Sequence, residues 1–276
     1  MTKSRLEKAS LGAAVGIALL SLVGCAQQPK DDQQAQRQLS NQMVMALNWF
    51  QQSGEYQALA HQAFNSAQRA FDQAKPAAGK KKAVVVDLDE TMLDNSAYSG
   101  WMAQQNTSFD VEYWAKWSQA EQALAIPGAV RFANYVNSHG GTMFYVSNRK
   151  QSEFDATVAN MQKLGFTGMS AKTVLLAQDS SNKRARFDSI KNAGYDIVVY
   201  AGDNLNDFGS ATYHQDNAQR RSFVSANQDR FGAEFIVLPN PLYGDWESGL
   251  APDYVKMTPQ QKLQVRAQAI RAWRDR

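Results

Sequence analysis

Asp87 and Asp89 stand two positions apart in Asp87-Leu88-Asp89-Glu90-Thr91, directly behind the apolar run Ala83-Val84-Val85-Val86. Two carboxylates this close raise the cost of ionising both, unless a cation or hydrogen bonds compensate. An isolated Asp-x-Asp is more often a turn or a cap than a site, so the weight lies in what accompanies it. Tyr145-Val146-Ser147-Asn148-Arg149 ends a second apolar run, and a hydroxyl with backbone N–H groups at a strand-to-helix turn can hold a phosphate oxygen. Ser181-Asn182-Lys183-Arg184-Ala185-Arg186 brings cations to a helix start, where the helix dipole prefers an anion. The residues alone do not choose among Lys183, Arg184 and Arg186. Gly202-Asp203-Asn204-Leu205-Asn206-Asp207-Phe208 adds two carboxylates beyond a glycine that permits a tight turn. Carboxylates gathered without imidazole or thiolate suit a hard cation such as Mg²⁺. With Ser147 and Lys183 they would form a cage for a doubly charged phosphoryl group.

The elements that must bring these residues together follow from periodicity. Ala83 to Asp89, Thr142 to Ser147, Thr173 to Leu176, Ile197 to Ala201 and Phe235 to Leu238 are short apolar runs of the kind buried on both faces of a parallel sheet. Helices are expected from Gly128 to Ser138 and around Arg184 to Asn192. Strands alternating with helices give a doubly wound α/β fold, in which ligands bind at the carboxyl ends of the strands. The polar residues ending these runs therefore meet at one edge. Upstream, Leu39, Met43, Leu47 and Phe50, then Tyr56, Ala60, Phe64, Ala67 and Phe71, recur at helical spacing around Gly54. They predict two amphipathic helices, or one bent helix, ending before Pro76. Residues 94–126 fit no strand, carry Tyr98, Trp101, Phe109, Tyr113, Trp114 and Trp117, and follow the first strand directly, so they form a candidate lid. A polar helix is expected over Thr258 to Arg276, with Pro259 in its first turn.

Composition sets the outer bounds. The chain has 276 residues, 29 Lys+Arg against 26 Asp+Glu, and 44% hydrophobic residues, which excludes wholesale disorder and argues against a dedicated nucleic-acid surface. Cys25 is the only cysteine and the three histidines are dispersed, which excludes an intramolecular disulfide and argues against a zinc cluster. Residues 1–24 differ from the rest. Lys3, Arg5 and Lys8 precede an apolar stretch from Leu11 to Val23 that is short for a membrane span and has signal-peptide proportions. Leu22-Val23-Gly24-Cys25 resembles a bacterial lipobox, in which the cysteine is lipidated and becomes the mature N-terminus. Residue 26 is Ala rather than Asp, a pattern that resembles outer-membrane lipoproteins, and residues 25–38 then read as a polar tether. No transmembrane stretch follows Cys25 and no internal repeat is visible.

Taken together, Asp87-x-Asp89-x-Thr91, Ser147, Lys183 and Gly202-Asp203-x-x-x-Asp207 match the four motifs of the haloacid dehalogenase superfamily. The longer strings Asp87-Leu88-Asp89-Glu90-Thr91-Met92-Leu93-Asp94-Asn95 and Ala201 to Phe208 resemble class C acid phosphatases, bacterial surface lipoproteins of the lipoprotein e type, over about Leu39 to the C-terminus. The resemblance implies a phosphatase domain over residues 39–276, with 94–126 as its lid. It implies Asp87 as nucleophile and Asp89 as general acid. Mg²⁺ would be held by Asp87, Asp203 and the backbone carbonyl of Asp89. Ser147, Asn148 and Lys183 would bind phosphate, with Thr91 and Asp207 in support. The expected substrates are 5′-nucleotides such as nicotinamide mononucleotide, stacked on Trp114 and Tyr243 with Asn95 nearby. A broad phosphomonoesterase, a phosphotransferase and a non-catalytic ligand-binding lipoprotein are the alternatives. A homodimer is left open.

Overall fold

A computed structural model describes residues 24–275; the leader expected over residues 1–24 lies outside them but for Gly24. Helix α1 (Gly24–Gln52) is followed after one residue by α2 (Gly54–Gln73). The bend falls at Ser53, whose hydroxyl caps α2 by accepting from the Tyr56 N–H at 3.1 Å. The polar stretch expected as a tether is continuous with α1 in this structure. The buried face of α2 is Tyr56, Ala60, Phe64, Ala67 and Phe71, the set its periodicity selects.

Strand β1 (Lys81–Val86) leads into β2 (Leu93–Asp94), α3 (Ser96–Gln105), α4 (Val111–Ala120) and β3 (Leu124–Ala125). Contrary to the expectation from sequence, residues 94–126 are not strand-free. β2 and β3 pair antiparallel, Leu93 opposite Ala125, and clamp the base of the insertion. Two-residue strands carry too little alternation to show as a pattern. Then come α5 (Ala129–Ser138), β4 (Thr142–Lys150), α6 (Phe154–Lys163), β5 (Val174–Ala177), α7 (Arg184–Asn192), β6 (Tyr195–Gly202), α8 (Asn217–Ala226), β7 (Phe235–Val237), α9 (Asp245–Ser248) and α10 (Pro259–Ala269).

The main sheet is parallel throughout, in the order β5-β4-β1-β6-β7. The chain winds outward one way from β1, then returns to its other side. The topological switch point, where such folds bind ligands, lies beside β1. Alternation along β1 divides the core. Val84 and Val86 face Phe64, Phe71, Phe132 and Val136 of α2 and α5, whereas Ala83 and Val85 face the layer holding Phe187, Ile190 and Phe235. Helix α10 has the expected Thr258 cap and Pro259 start, but it stops at Ala269 rather than running to Arg276. The half-buried face of α10, packed on α1, ends at Arg266, and the exposed residues beyond it have little to sustain further turns. No described helix is long and apolar enough to cross a membrane.

Candidate active site

Asp87 leaves the carboxyl end of β1, and Asp203 leaves the end of the neighbouring β6, so the switch point delivers both to one place. Asp207 follows in a 3₁₀ turn over Leu205–Phe208, which Asn204 caps by accepting from the Asn206 N–H. Gly202 is required for this approach, since a Cβ there would overlap the Asp207 side chain. One carboxylate oxygen each from Asp87, Asp203 and Asp207 lies within 4.8 Å of the others. Three hard oxygen donors with no imidazole or thiolate among them fit a divalent cation.

Lys183 caps the start of α7 and turns inward, pairing with Asp87 and, at 2.7 Å, with Asp207. These carboxylates supply the anion that a lysine at a helix N-terminus calls for. They also decide the choice left open by the sequence. Arg184 instead pairs with Asp188 on the surface, and Arg186 donates to the Ser147 carbonyl and to Asn148 Oδ1. Burial works against the Lys183 charge, but Asp207 and Asp87 outweigh it and hold the ammonium above its ordinary pKa. Asp87 itself is raised to about 7, chiefly by burial; Lys183 pulls it down, while Asp207 and Asp89 push it up. Asp203 is also raised, by burial first and then by Asp207 and Asp87. Thr91 ties this loop to the next strand end: its hydroxyl donates to Asp203 Oδ1 at 3.2 Å and accepts from the Asp203 N–H at 3.0 Å. Asn240 Nδ2 donates to the other Asp203 oxygen.

Asp89 points elsewhere. Arg149 donates to its Oδ1 through Nε at 2.9 Å and Nη2 at 2.8 Å, Asn95 Nδ2 adds a third bond there, and Ser147 Oγ donates to Oδ2 at 3.2 Å. The Asp89 side chain is thus absent from the acidic cluster. Ser147 is fully buried, and its hydroxyl is spent on Asp89 and on the Arg149 N–H, whereas Asn148 is exposed and lines the cleft.

The cleft encloses about 400 Å³, the scale of a small-molecule site. Asp87, Asp89, Lys183 and Asp203 lie along its lining, with Asn95, Trp114 and Tyr243. Trp114 belongs to an aromatic group in the insertion, edge-on to Tyr98 and tilted on Phe109. Asn95 is near, as expected, but it is buried and bonded to Asp89, Arg149 and Trp117. Two residues carry more of the site than the sequence showed. Arg149 is one. The other is Glu90, fully buried in a left-handed conformation (φ 57°), which accepts from the Asn95 N–H and the Tyr243 hydroxyl. It pins the Tyr243 loop to the β1 loop. Burial lifts Glu90 well above the usual carboxylate range. A glutamate next to Asp-x-Asp could have been flagged as a third close carboxylate; nothing in the local pattern marked Arg149.

This arrangement has known counterparts. Residues 4–246 match the family described as HAD superfamily, subfamily IIIB (Acid phosphatase), and the chain belongs to that family. It is an acid phosphatase, a hydrolase of phosphoric monoesters. Among solved structures it resembles the class C acid phosphatase from Bacillus anthracis, at 33% identity and a TM-score of 0.81 over 86% of this chain and 99% of that one. A structure of that class C acid phosphatase with tungstate bound is similar at 31% identity and a TM-score of 0.79, with the same coverage of both chains.

Proposed function

We propose that this phosphatase is a Mg²⁺-dependent 5′-nucleotidase acting through an aspartyl-phosphate on Asp87. The observation that carries the nucleotide reading is the cleft itself. Trp114 and Tyr243 line the same space as Asp87, Asp203 and Lys183, so a base can stack while its phosphate meets the acidic cluster.

The residues divide the work as follows. Asp87 attacks phosphorus, and the phosphorus–ester oxygen bond breaks as the Asp87–phosphorus bond forms. Asp89 gives its proton to the departing alkoxide, then takes one from the water that cleaves the acyl-phosphate. Lys183 neutralises Asp87 and Asp207 in the free enzyme and faces a phosphoryl oxygen in the complex. Asn148 and its backbone hold the remaining oxygens, with Ser147 beside them. Asp87 and Asp203 would hold Mg²⁺, with Asp207 within reach and the Asp89 carbonyl as the family resemblance implies. When bound, the ion supplies the positive charge that offsets repulsion between an anionic nucleophile and an anionic substrate. Tungstate, carried by the Bacillus anthracis relative, is tetrahedral like phosphate, which supports an oxyanion pocket here.

Phosphate release across nucleoside 5′-monophosphates, nicotinamide mononucleotide, sugar phosphates and a simple aryl phosphate, with and without chelator, tests this. A preference of tenfold or more in kcat/KM for nucleotides, lost with chelator, is expected from about 1–3 kcal/mol of stacking. Equal rates on all esters would leave a broad phosphomonoesterase instead.

We further propose, on the lipobox-like Leu22-Val23-Gly24-Cys25, that Cys25 is lipidated and anchors the enzyme at the bacterial outer membrane. Cys25→Ser should release activity from the membrane fraction into the periplasm; activity still sedimenting with membranes would refute the anchor.

A further inference from the structure

Arg149 is an arginine with no nitrogen to spare. Only 3% of it is exposed. Nε and Nη2 both reach Asp89 Oδ1, Nη2 also reaches Asn95 Oδ1 at 3.1 Å, and Nη1 donates to Thr157 Oγ1 at 3.1 Å. A second layer stands behind it. Trp117 Nε1 donates to Asn95 Oδ1 at 2.9 Å, and the Trp114 ring lies 5.5 Å from the guanidinium carbon. Burying a guanidinium is costly unless it is paired and hydrogen-bonded; this one is paired with Asp89, and four of its five N–H groups have partners. An arginine that recognised phosphate would keep a forked pair of N–H groups aimed into the cleft. This one aims its fork at Asp89.

The two Asp89 oxygens are consequently unequal. Oδ1 accepts from Arg149 twice and from Asn95 once, which saturates it as an acceptor. Oδ2 has a single partner, the Ser147 hydroxyl. A general acid works only when its proton sits within hydrogen-bond reach of the leaving oxygen. We infer that Arg149, backed by Asn95 and Trp117, is the positioning residue for the leaving-group step: it clamps Asp89 Oδ1 and so leaves Oδ2 as the oxygen that carries the transferable proton. As the phosphorus–ester bond breaks, the ester oxygen takes that proton and Asp89 is left as a carboxylate on the same fork. The attacking water later returns a proton to Oδ2. This rests on the reading of Asp89 as general acid.

A series of phosphate esters separates the two claims, because proton donation matters most for poor leaving groups. The readout is kcat/KM for 4-nitrophenyl, phenyl and alkyl phosphates with Mg²⁺ saturating. Asp89→Asn should lose far more on the alkyl than on the 4-nitrophenyl ester; a uniform loss would sink the general-acid reading and the inference with it. Arg149→Met should reproduce that bias, with a loss of about 10²-fold on the alkyl ester and a few-fold on the nitrophenyl ester. Arg149→Lys, which keeps the charge and loses the fork, should stay close to Arg149→Met. Arg149→Met added to Asp89→Asn should change nothing further beyond about twofold. If Asp89→Asn shows the bias but Arg149→Met lowers all esters equally, or worsens Asp89→Asn, the inference alone is overturned. Should Arg149→Met fail to fold, Trp117→Phe removes the donor behind Asn95. A bias of about threefold in the same direction is then expected, and its absence counts against the inference.

Discussion

Two carboxylates leave the same strand end and enter opposite surroundings. Asp87 faces a lysine and two further acids, in a nearly closed place where its own charge is discouraged. Asp89, two residues on, turns away to an arginine fork, an amide and a hydroxyl. One neighbourhood is short of positive charge and therefore fits a cation; the other is already neutralised by the protein. Directly after Asp89 the backbone of Glu90 takes a left-handed conformation. On the proposed mechanism these surroundings suit different duties, a nucleophile beside a metal position and a proton carrier on a fixed mount.

The sharpest way to break this contrast is to neutralise the first acid. Asp87→Asn should lower kcat by about 10⁴-fold or more with Mg²⁺ saturating, read by phosphate release. Lys183→Met comes next. Removing the buried cation should cost about 10²–10³-fold in kcat. It should also tighten Mg²⁺ binding in calorimetry, since Asp87 and Asp207 lose their partner; weaker Mg²⁺ binding would contradict the charge balance described above. Trp114→Ala should raise nucleotide KM about tenfold while sparing an aryl phosphate. An equal rise for both would place Trp114 in the lid core alone.

The smallest effect concerns pH. Asp87 is 3.8 in its reference state and about 7 when folded, so between those values the folded chain holds a proton that the unfolded chain has released. Its contribution to stability is whole below the lower value and is lost as pH rises through the upper one. Asp203 and Glu90 are shifted in the same direction. The metal-free enzyme should therefore melt a few degrees lower at about pH 7.5 than at about pH 5, and Mg²⁺ should offset the drop by favouring the deprotonated cluster. A metal-free melting temperature that rises over this window would remove the case for a proton-loaded acidic site.

How far the sequence carried the reading differs between these two neighbourhoods as well. The Asp87 side was legible because its parts sit at strand ends, where an apolar run followed by a polar residue marks the place. Asp87, Lys183, Asp203 and Asp207 converge as such positions must in a doubly wound sheet. The Asp89 side was not. Arg149 lies on the extension of β4 beyond Ser147, where the sequence predicts a strand-to-helix turn. Its partner Thr157 belongs to α6, whose buried face mixes Ala156 and Met161 with Thr157 and Asn160 and so hides the helical period. Those polar residues have tasks: Thr157 holds Arg149, and Asn160 bonds both backbone groups of Ala123 at the end of the insertion. Helix α8 escaped for a related reason, since its one buried residue is Arg220. Apolar pattern reveals a core; it is silent where a buried face is built from hydrogen bonds.

The most direct measurement traps the phosphorylated enzyme. Asp89→Asn, mixed with a 4-nitrophenyl phosphate substrate and Mg²⁺ and quenched in acid within one turnover, should yield a peptide carrying one phosphoryl group on Asp87, removed by hydroxylamine. Label on a different side chain, or burst release of nitrophenol with no phosphoryl group on the protein, would contradict covalent catalysis at Asp87.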